Sequence, residues 1–242
     1  MTIGVLSEAA QIPGPRDAEI MDLIIDATGI FGALSVVAIF DVAIRAQLTA
    51  NQRWIMALLS MLAMTATISP TLWYAYALTA RHQALPSLLS FEHAWERVNI
   101  SQSSHRRVEL IASPKDWPTS GQRVAQVAES RRRGDLLSLH PYPNWLDYTS
   151  VSFLAASTTE TTHQVRVTIR DMRPNQESHS NRFKTSILVG PQPVRYTIRL
   201  DDIRDTSVDR IFDLAHIDSI ILRASNPGDD VKVLVDDFRL EL

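Results

Sequence analysis

Hydrophobic and polar positions follow two different periods along this chain, and the change falls near residue 81. Before it, two long apolar runs dominate. The second, 54–80, holds no charged side chain. A hydrocarbon layer about 30 Å thick needs roughly 20 helical residues to cross, and this run exceeds that. Trp54 stands at one end beside Arg53; Trp73, Tyr74 and Tyr76 stand before Arg81 at the other. Rings beside cations are what membrane–water interfaces favour. The first run, 20–44, is apolar apart from Asp22, Asp26 and Asp41. Joined by the short polar loop 45–53, the two runs predict an α-helical transmembrane hairpin, with spans at 20–44 and 54–79, set in a lipid bilayer. Asp22, Asp26, Gly29 and Ala33 fall on one helical face. That stripe combines carboxylates with a small-xxx-small pair, so the acids either sit near the headgroups or face another membrane helix.

After a short linker, 82–90, the period drops from that of a helix to two. Val165, Val167 and Ile169 alternate with Arg166, Thr168 and Arg170. Val194, Tyr196, Ile198 and Leu200 alternate with Arg195, Thr197 and Arg199, and Val231, Val233 and Val235 with Lys232 and Leu234. Such alternation marks half-buried strands. Turn signals separate them at Arg173-Pro174-Asn175, Gly190-Pro191 and Asn226-Pro227-Gly228-Asp229. Short strands with turns between them predict an all-β domain over 91–242, an antiparallel sandwich. A helical turn is expected near 208–214.

Charge refines the picture. Four cations (Arg16, Arg45, Arg53, Arg81) and six acids lie in 1–81, leaving 20 of the 24 Lys and Arg and 21 of the 27 Asp and Glu to the remainder. Neither half is basic, so no nucleic-acid partner is implied. Arg45 and Arg53 bracket the loop between the spans; the positive-inside tendency places that loop in the cytoplasm and both termini outside. The chain has no cysteine, so disulfides play no part. The stretch ahead of the first apolar run lacks a basic segment followed by an apolar one, so delivery of the C-terminal half across a membrane falls to the spans themselves.

The stretch SEAAQIPGPRDAEIMDLIIDATGIFGAL, residues 7–34, resembles the second half of VanZ-like membrane domains. The matching positions are Glu8, Gln11, Arg16, Asp22, Asp26, Gly29 and Gly32, with Asp26 standing where that family has Asn. The resemblance extends from the N-terminus to the end of the second apolar run, over 1–81. Such domains have about four spans or more, so it implies either a shortened form or a longer gene whose start lies upstream.

The C-terminal motifs occur in a recognisable order. LLSFE (88–92), NWLDYTSVSF (144–153), VRVTIRD (165–171), NRF (181–183), YTIRLDDIR (196–204), FDLAHIDSIIL (212–222) and VLVDDFRL (233–240) together resemble the galactose-binding-like, jelly-roll-like β-sandwich of many carbohydrate-binding modules. That resemblance implies an opening Phe-Glu strand near a closing Asp-Asp strand, and Trp145 and Tyr148 as core. It also implies a structural calcium held by Glu92 and Asp236 or Asp237, and a role for Arg182 in fixing a loop or touching ligand.

Sugar recognition uses aromatic platforms and planar polar side chains in a groove. Trp117, in the turn-rich loop 113–121, is read as either such a platform or a lid on the core. Tyr142 is the better candidate for exposure in HPYPNWLDY. Arg166, Arg170, Arg195 and Arg199 occupy the polar faces of two strands, either as a solvated face or as a concave surface for hydroxyls or anionic glycans. Arg131-Arg132-Arg133 is read as a surface loop. HExxH, GxSxG and P-loop motifs are absent, and the seven His are scattered without metal-ligand spacing. These readings converge on a non-catalytic envelope protein: a membrane anchor displaying a glycan-binding sandwich outside a bacterial plasma membrane. The alternatives are a protein-docking module, a fragment of a longer VanZ-like protein, and a glycoside hydrolase, whose two carboxylates can lie far apart in sequence.

Overall fold

The computed structural model describes residues 20–105, 107–119, 121–129, 135–172, 182–205, 212–225 and 231–242, with side chains from Asp26 onward, Arg45 apart. Two compact units, 1–76 and 77–242, divide the chain. The first is helical: α1 (Ile20–Phe40), α2 (Val42–Gln47) and most of α3 (Ala50–Gln83). Asp41 breaks the first predicted span. Its carboxylate accepts the backbone N–H groups of Ala43 and Ile44 at 2.8 and 3.0 Å, capping α2. Thr49 and Gln52 then form a reciprocal capping box that starts α3.

Helices α1 and α3 meet through small residues. Ser60 Oγ donates to the Gly32 carbonyl at 2.9 Å, and a Cβ on Gly32 would stand 3.2 Å from Ala63 Cβ. Gly29 abuts Thr67 in the same way. The seam therefore runs through Gly29, Gly32 and Ser35. Asp26 and Ala33 are exposed, which corrects the expected stripe: a one-residue shift to Gly32 places the closest backbone on the seam. Among the described residues, α3 is the one helix long and apolar enough to cross a membrane; the apolar part of α1, Asp26–Phe40, is shorter.

The second unit is an antiparallel β-sandwich. One sheet has the order β2-β3-β10-β5-β8, with β1 pairing on β10; the other has the order β4-β9-β6-β7. The strands are β1 (Ser87–Leu89), β2 (Val108–Ala112), β3 (Arg123–Ala128), β4 (Asp135–Leu139), β5 (Ser150–Ser157), β6 (His163–Asp171), β7 (Phe183–Val189), β8 (Val194–Arg199), β9 (Ile217–Ala224) and β10 (Lys232–Glu241). A 3-10 turn (Ala94–Asn99) and the short helices α4 (Gln102–His105) and α5 (Leu200–Asp205) complete it. The three alternating segments predicted as strands are β6, β8 and β10. The segment expected as a linker is ordered structure: α3 continues to Gln83, and Leu88 and Leu89 are buried in β1 against Phe238 and Arg239 of β10. The opening strand thus lies just before Phe91-Glu92. The helical turn expected near 208–214 lies largely outside the described residues; the observed helix, α5, is earlier.

The main core fills the space between the sheets. Val165, Val167 and Ile169 of β6 meet Phe153 and Val151 of β5, Trp145 and Phe238. Trp145 is fully enclosed and donates its indole N–H to the Tyr142 carbonyl at 2.7 Å. Its polar atom is thus satisfied, as burial requires. A second apolar cluster lies on the far side of the first sheet: Trp117 covers Val124, Leu154, Ala156 and Leu234. This explains why β5 is buried along its whole length rather than at alternate positions.

Candidate functional site

The outer side of the first sheet carries the loop 113–122 and a recess beside it. Trp117 is 7% exposed, so it is a lid and not a platform, and this corrects the binding role expected for it. Its indole N–H donates to Asp236 Oδ2 at 2.9 Å, and Thr119 Oγ1 donates to the same oxygen at 2.8 Å. Asp236 is 2% exposed. Burial pushes its carboxyl above the ordinary carboxylate range. A bulge in β10 between Asp236 and Arg239 aims it there. Asp237, within the bulge, has a φ of 48°.

Glu92, Asp236 and Asp237 line one recess of 410 Å³, as the calcium expectation requires. One oxygen of each carboxylate is nevertheless engaged by N–H or O–H donors. Glu92 Oε1 accepts the Arg123 backbone N–H at 2.8 Å, and Asp237 Oδ2 is bonded to the Arg195 guanidinium, with Arg239 Nε 3.7 Å away. Calcium takes six to eight oxygens, about 2.3–2.6 Å away, and a guanidinium beside the carboxylate competes for that place. Among the described residues no group of three His, Asp or Glu is placed to hold a metal ion. The donor set does not fit the expected calcium; Arg195 and Arg239 supply the positive charge instead.

The outer side of the second sheet is different. Three rows of side chains cross it in register. The first row is Ser186, Arg166, Arg223 and Asp135. The second is Lys184, Thr168, Ile221 and Ser138. In the third, Arg182 lies beside Arg170, because Phe183 pairs with Ile169 and the next position along each strand brings these two together. Arg223 binds Asp135 at 2.7 Å, and Arg170 Nε lies 3.9 Å from Asp218. Burial, followed by the like charges of Arg170 and Arg223, lowers the Arg182 guanidinium below its ordinary value. An arginine nevertheless stays protonated in a protein.

The four strand arginines therefore do not share a surface. Arg166 and Arg170 lie on the outer side of the second sheet; Arg195 and Arg199 lie on the outer side of the first. The reason is topological: β6 and β8 belong to different layers, and outward faces of two layers point apart. Arg195 also bonds Ser152 Oγ at 3.1 Å and is part of the sheet's own packing, while Arg199 pairs with Asp201 at 3.6 Å on an exposed corner. Tyr142 is half-buried. Its ring stacks on His82 at 5.4 Å, and Arg81 donates to the neighbouring Pro141 carbonyl, so this segment holds the last turn of α3 to the sandwich. Tyr142 is thus occupied as a packing ring, which corrects its expected exposure. Glu8, Gln11, Arg16 and Arg131-Arg132-Arg133 lie outside the described residues, as does the side chain of Asp22.

Sequence reasoning missed Arg223 and Lys184. Lys184 belongs to the alternation of FKTSILV and was open to detection; Arg223 is revealed only by the pairing of β6 with β9.

Neither a family model nor a curated protein sequence matches this chain. Solved structures do. A family 11 carbohydrate-binding module from Clostridium thermocellum, in complex with a beta-1,3-1,4-mixed-linked tetrasaccharide, is 18% identical with a TM-score of 0.47, over 64% of this chain and 94% of that one. An exo-beta-agarase is 20% identical with a TM-score of 0.48, over 64% of this chain and 24% of that one. A CBM22-1 xylan-binding domain from Paenibacillus barcinonensis is 12% identical with a TM-score of 0.39, over 64% of this chain and 91% of that one.

Proposed function

We propose that the chain is a membrane-tethered, non-catalytic glycan-binding protein, with its sandwich displayed on the extracytoplasmic side of a bacterial plasma membrane. The observation that carries the reading is the outer side of the second sheet. It is open, and it presents guanidinium, ammonium and hydroxyl groups in register around the half-buried Ile221. Sugar hydroxyls need fixed donors and acceptors, and their C–H faces need an apolar contact. On the opposite outer side Trp117 is no platform, because it is buried over Val124, Leu154, Ala156 and Leu234. The most enclosed acid of the recess, Asp236, carries two donors on one oxygen and is out of a substrate's reach, which speaks for binding over glycoside hydrolysis.

The tether reading is supported by α3. The helix has 34 residues. At that length it is about 50 Å long, more than the hydrocarbon thickness. Only 11% of its apolar window is buried, and Trp54 is 78% exposed at one end, with Trp73, Tyr74 and Tyr76 exposed towards the other. Three residues separate the end of α3 from β1. In this reading α1 is the second, shorter membrane helix, packed on α3 through the Gly32 seam, and 1–81 is a VanZ-like region.

Two measurements test the proposal. The full chain expressed in a bacterium should stay with the membrane after alkaline carbonate extraction, and protease added outside should cut the sandwich. The chain reconstituted in nanodiscs should bind members of a glycan array. Recovery in the soluble fraction would refute the tether. A folded protein that binds no glycan would refute the ligand class.

A further inference from the structure

A separate recess, of 300 Å³, lies at the β2 edge of the first sheet, away from the open face of the second. Phe91, the 3-10 turn with α4, and β2 wall it on three sides. Much of its lining is apolar. Phe91 and Ile100 are buried, while Val108 and Leu110 pack on the main core yet stay only half-buried, so apolar surface is left within the recess. Three exposed planar polar groups, His93, Arg97 and His105, stand around it. An apolar wall with a few convergent polar groups is the composition of small-molecule sites, and the volume lies at the lower end of theirs, about 300–1,000 Å³.

The walls are fixed by the protein's own hydrogen bonds. Glu96 is 3% exposed. Its Oε1 accepts the Ser90 backbone N–H and hydroxyl, both at 2.8 Å, and its Oε2 the His93 N–H at 3.1 Å. This buried carboxylate therefore clamps the chain on both sides of Phe91. Phe91 has a φ of 62°, which a bulky side chain rarely adopts. Its ring meets Phe238 edge-on at 6.4 Å. Backbone held in such a conformation by its surroundings is concentrated at ligand clamps and active sites. On the other side, Ser104 Oγ accepts the Ser138 N–H at 3.0 Å and anchors α4 to β4. His105 Nε2 donates to the Arg97 carbonyl at 2.8 Å and ties α4 to the 3-10 turn. A recess built in advance costs a ligand less ordering of the protein.

The polar groups select the ligand. With Nε2 donating, Nδ1 of the neutral His105 ring is an acceptor, whereas the Arg97 guanidinium only donates. A ligand that satisfies both must donate and accept. A hydroxyl does both; a carboxylate only accepts. Several hydroxyls on a ring with an apolar C–H face match this lining, and walls on three sides admit the end of a chain and not its middle.

We propose that this recess is a second glycan site, which takes the terminal sugar unit of a glycan end-on. Its hydroxyls meet Arg97 and His105, and its C–H face lies on Val108 and Leu110. The proposal rests on the glycan-binding reading. The test uses the full chain in phosphatidylcholine nanodiscs and saturation-transfer difference NMR. The probes are the methyl β-glycosides of glucose, galactose, mannose and N-acetylglucosamine, with cyclohexanecarboxylate as an apolar ring that carries an anion and no hydroxyl. At least one glycoside should bind saturably and more tightly than cyclohexanecarboxylate. Arg97→Ala, on an exposed side chain, should weaken it about tenfold at an unchanged melting temperature. Val108→Trp, which fills the recess, should abolish it. Arg199→Gln, on the far edge of the same sheet, should leave it unchanged. Tighter binding of cyclohexanecarboxylate, or glycoside binding indifferent to Arg97→Ala, overturns the inference. Array glycans bound without any of the four glycosides sink this inference alone, whereas binding to no glycan sinks the glycan reading with it.

Discussion

The contact between Trp117 and Asp236 allows a quantitative prediction. Trp117 closes the outer cluster of the first sheet, and its N–H reaches a buried carboxylate at 2.9 Å. A hydrogen bond to a charged group contributes about 1.5–3 kcal/mol, and a buried donor left without a partner costs about 1–3 kcal/mol. Trp117→Phe keeps an aromatic ring over Val124, Leu154 and Leu234 but deletes the donor, so it should destabilise the sandwich by about 2–4 kcal/mol, a small void included. Asp236→Ala strips the acceptor from both Trp117 and Thr119. Part of that loss is offset, because removing the acid also removes the desolvation that raises its pKa, so about 2–3 kcal/mol is expected. In the double variant the Trp117–Asp236 bond can be lost only once. The coupling energy from the cycle should therefore be about 1.5–3 kcal/mol. Urea unfolding of residues 77–242, followed by far-UV circular dichroism, measures all four corners. Additivity within about 0.5 kcal/mol would refute the argument, since contacting residues that share a buried bond cannot behave independently.

Further predictions rest on separate contacts. Asp236 has a folded pKa raised above its ordinary 3.8, so the folded state holds that proton more tightly. Its stabilising contribution is fully present below 3.8 and is lost as pH rises through the raised value. Asp236→Asn should flatten the stability profile in that window, and an unchanged slope in pH-dependent urea unfolding would contradict the assignment. Gly121→Ala places a Cβ 2.7 Å from Glu92 Oε1, forcing that carboxylate off the Arg123 N–H. The same unfolding assay should show a cost of about 1–3 kcal/mol. Gly32→Leu pushes a side chain into Ala63 and Met64, so a disulfide engineered across the α1–α3 seam should form in the parent but slowly or not at all in the variant. Trp145→Ala empties the centre of the sandwich core and should cost about 3–5 kcal/mol, read as a large fall in melting temperature.

Residue order alone determined the two-part character of this chain, because that depends on local period. An uncharged run of helical length and a period-two alternation are both visible without knowing what they pack against, and α3, β6, β8 and β10 lie where those patterns put them. Trp145 as core was legible too, through the motif around it. What the order of residues left open was which strands share a layer. Arg166 and Arg195 look equivalent in sequence, yet β6 and β8 belong to opposite sheets, so one arginine faces open solvent among other cations and the other neutralises Asp237. Trp117 and Tyr142 look like exposed rings in polar loops; a buried carboxylate 119 residues away in sequence claims the first, and the last turn of α3 the second. The calcium expectation shows the same limit. Position put Glu92, Asp236 and Asp237 side by side, but whether such acids take a metal or hydrogen-bond donors depends on what the opposing strands and loops deliver into the recess. Strand pairing is non-local, and the charge of a sheet face is the sum over strands far apart in the chain; that is why the cationic rows completed by Arg223 became visible only in the tertiary structure.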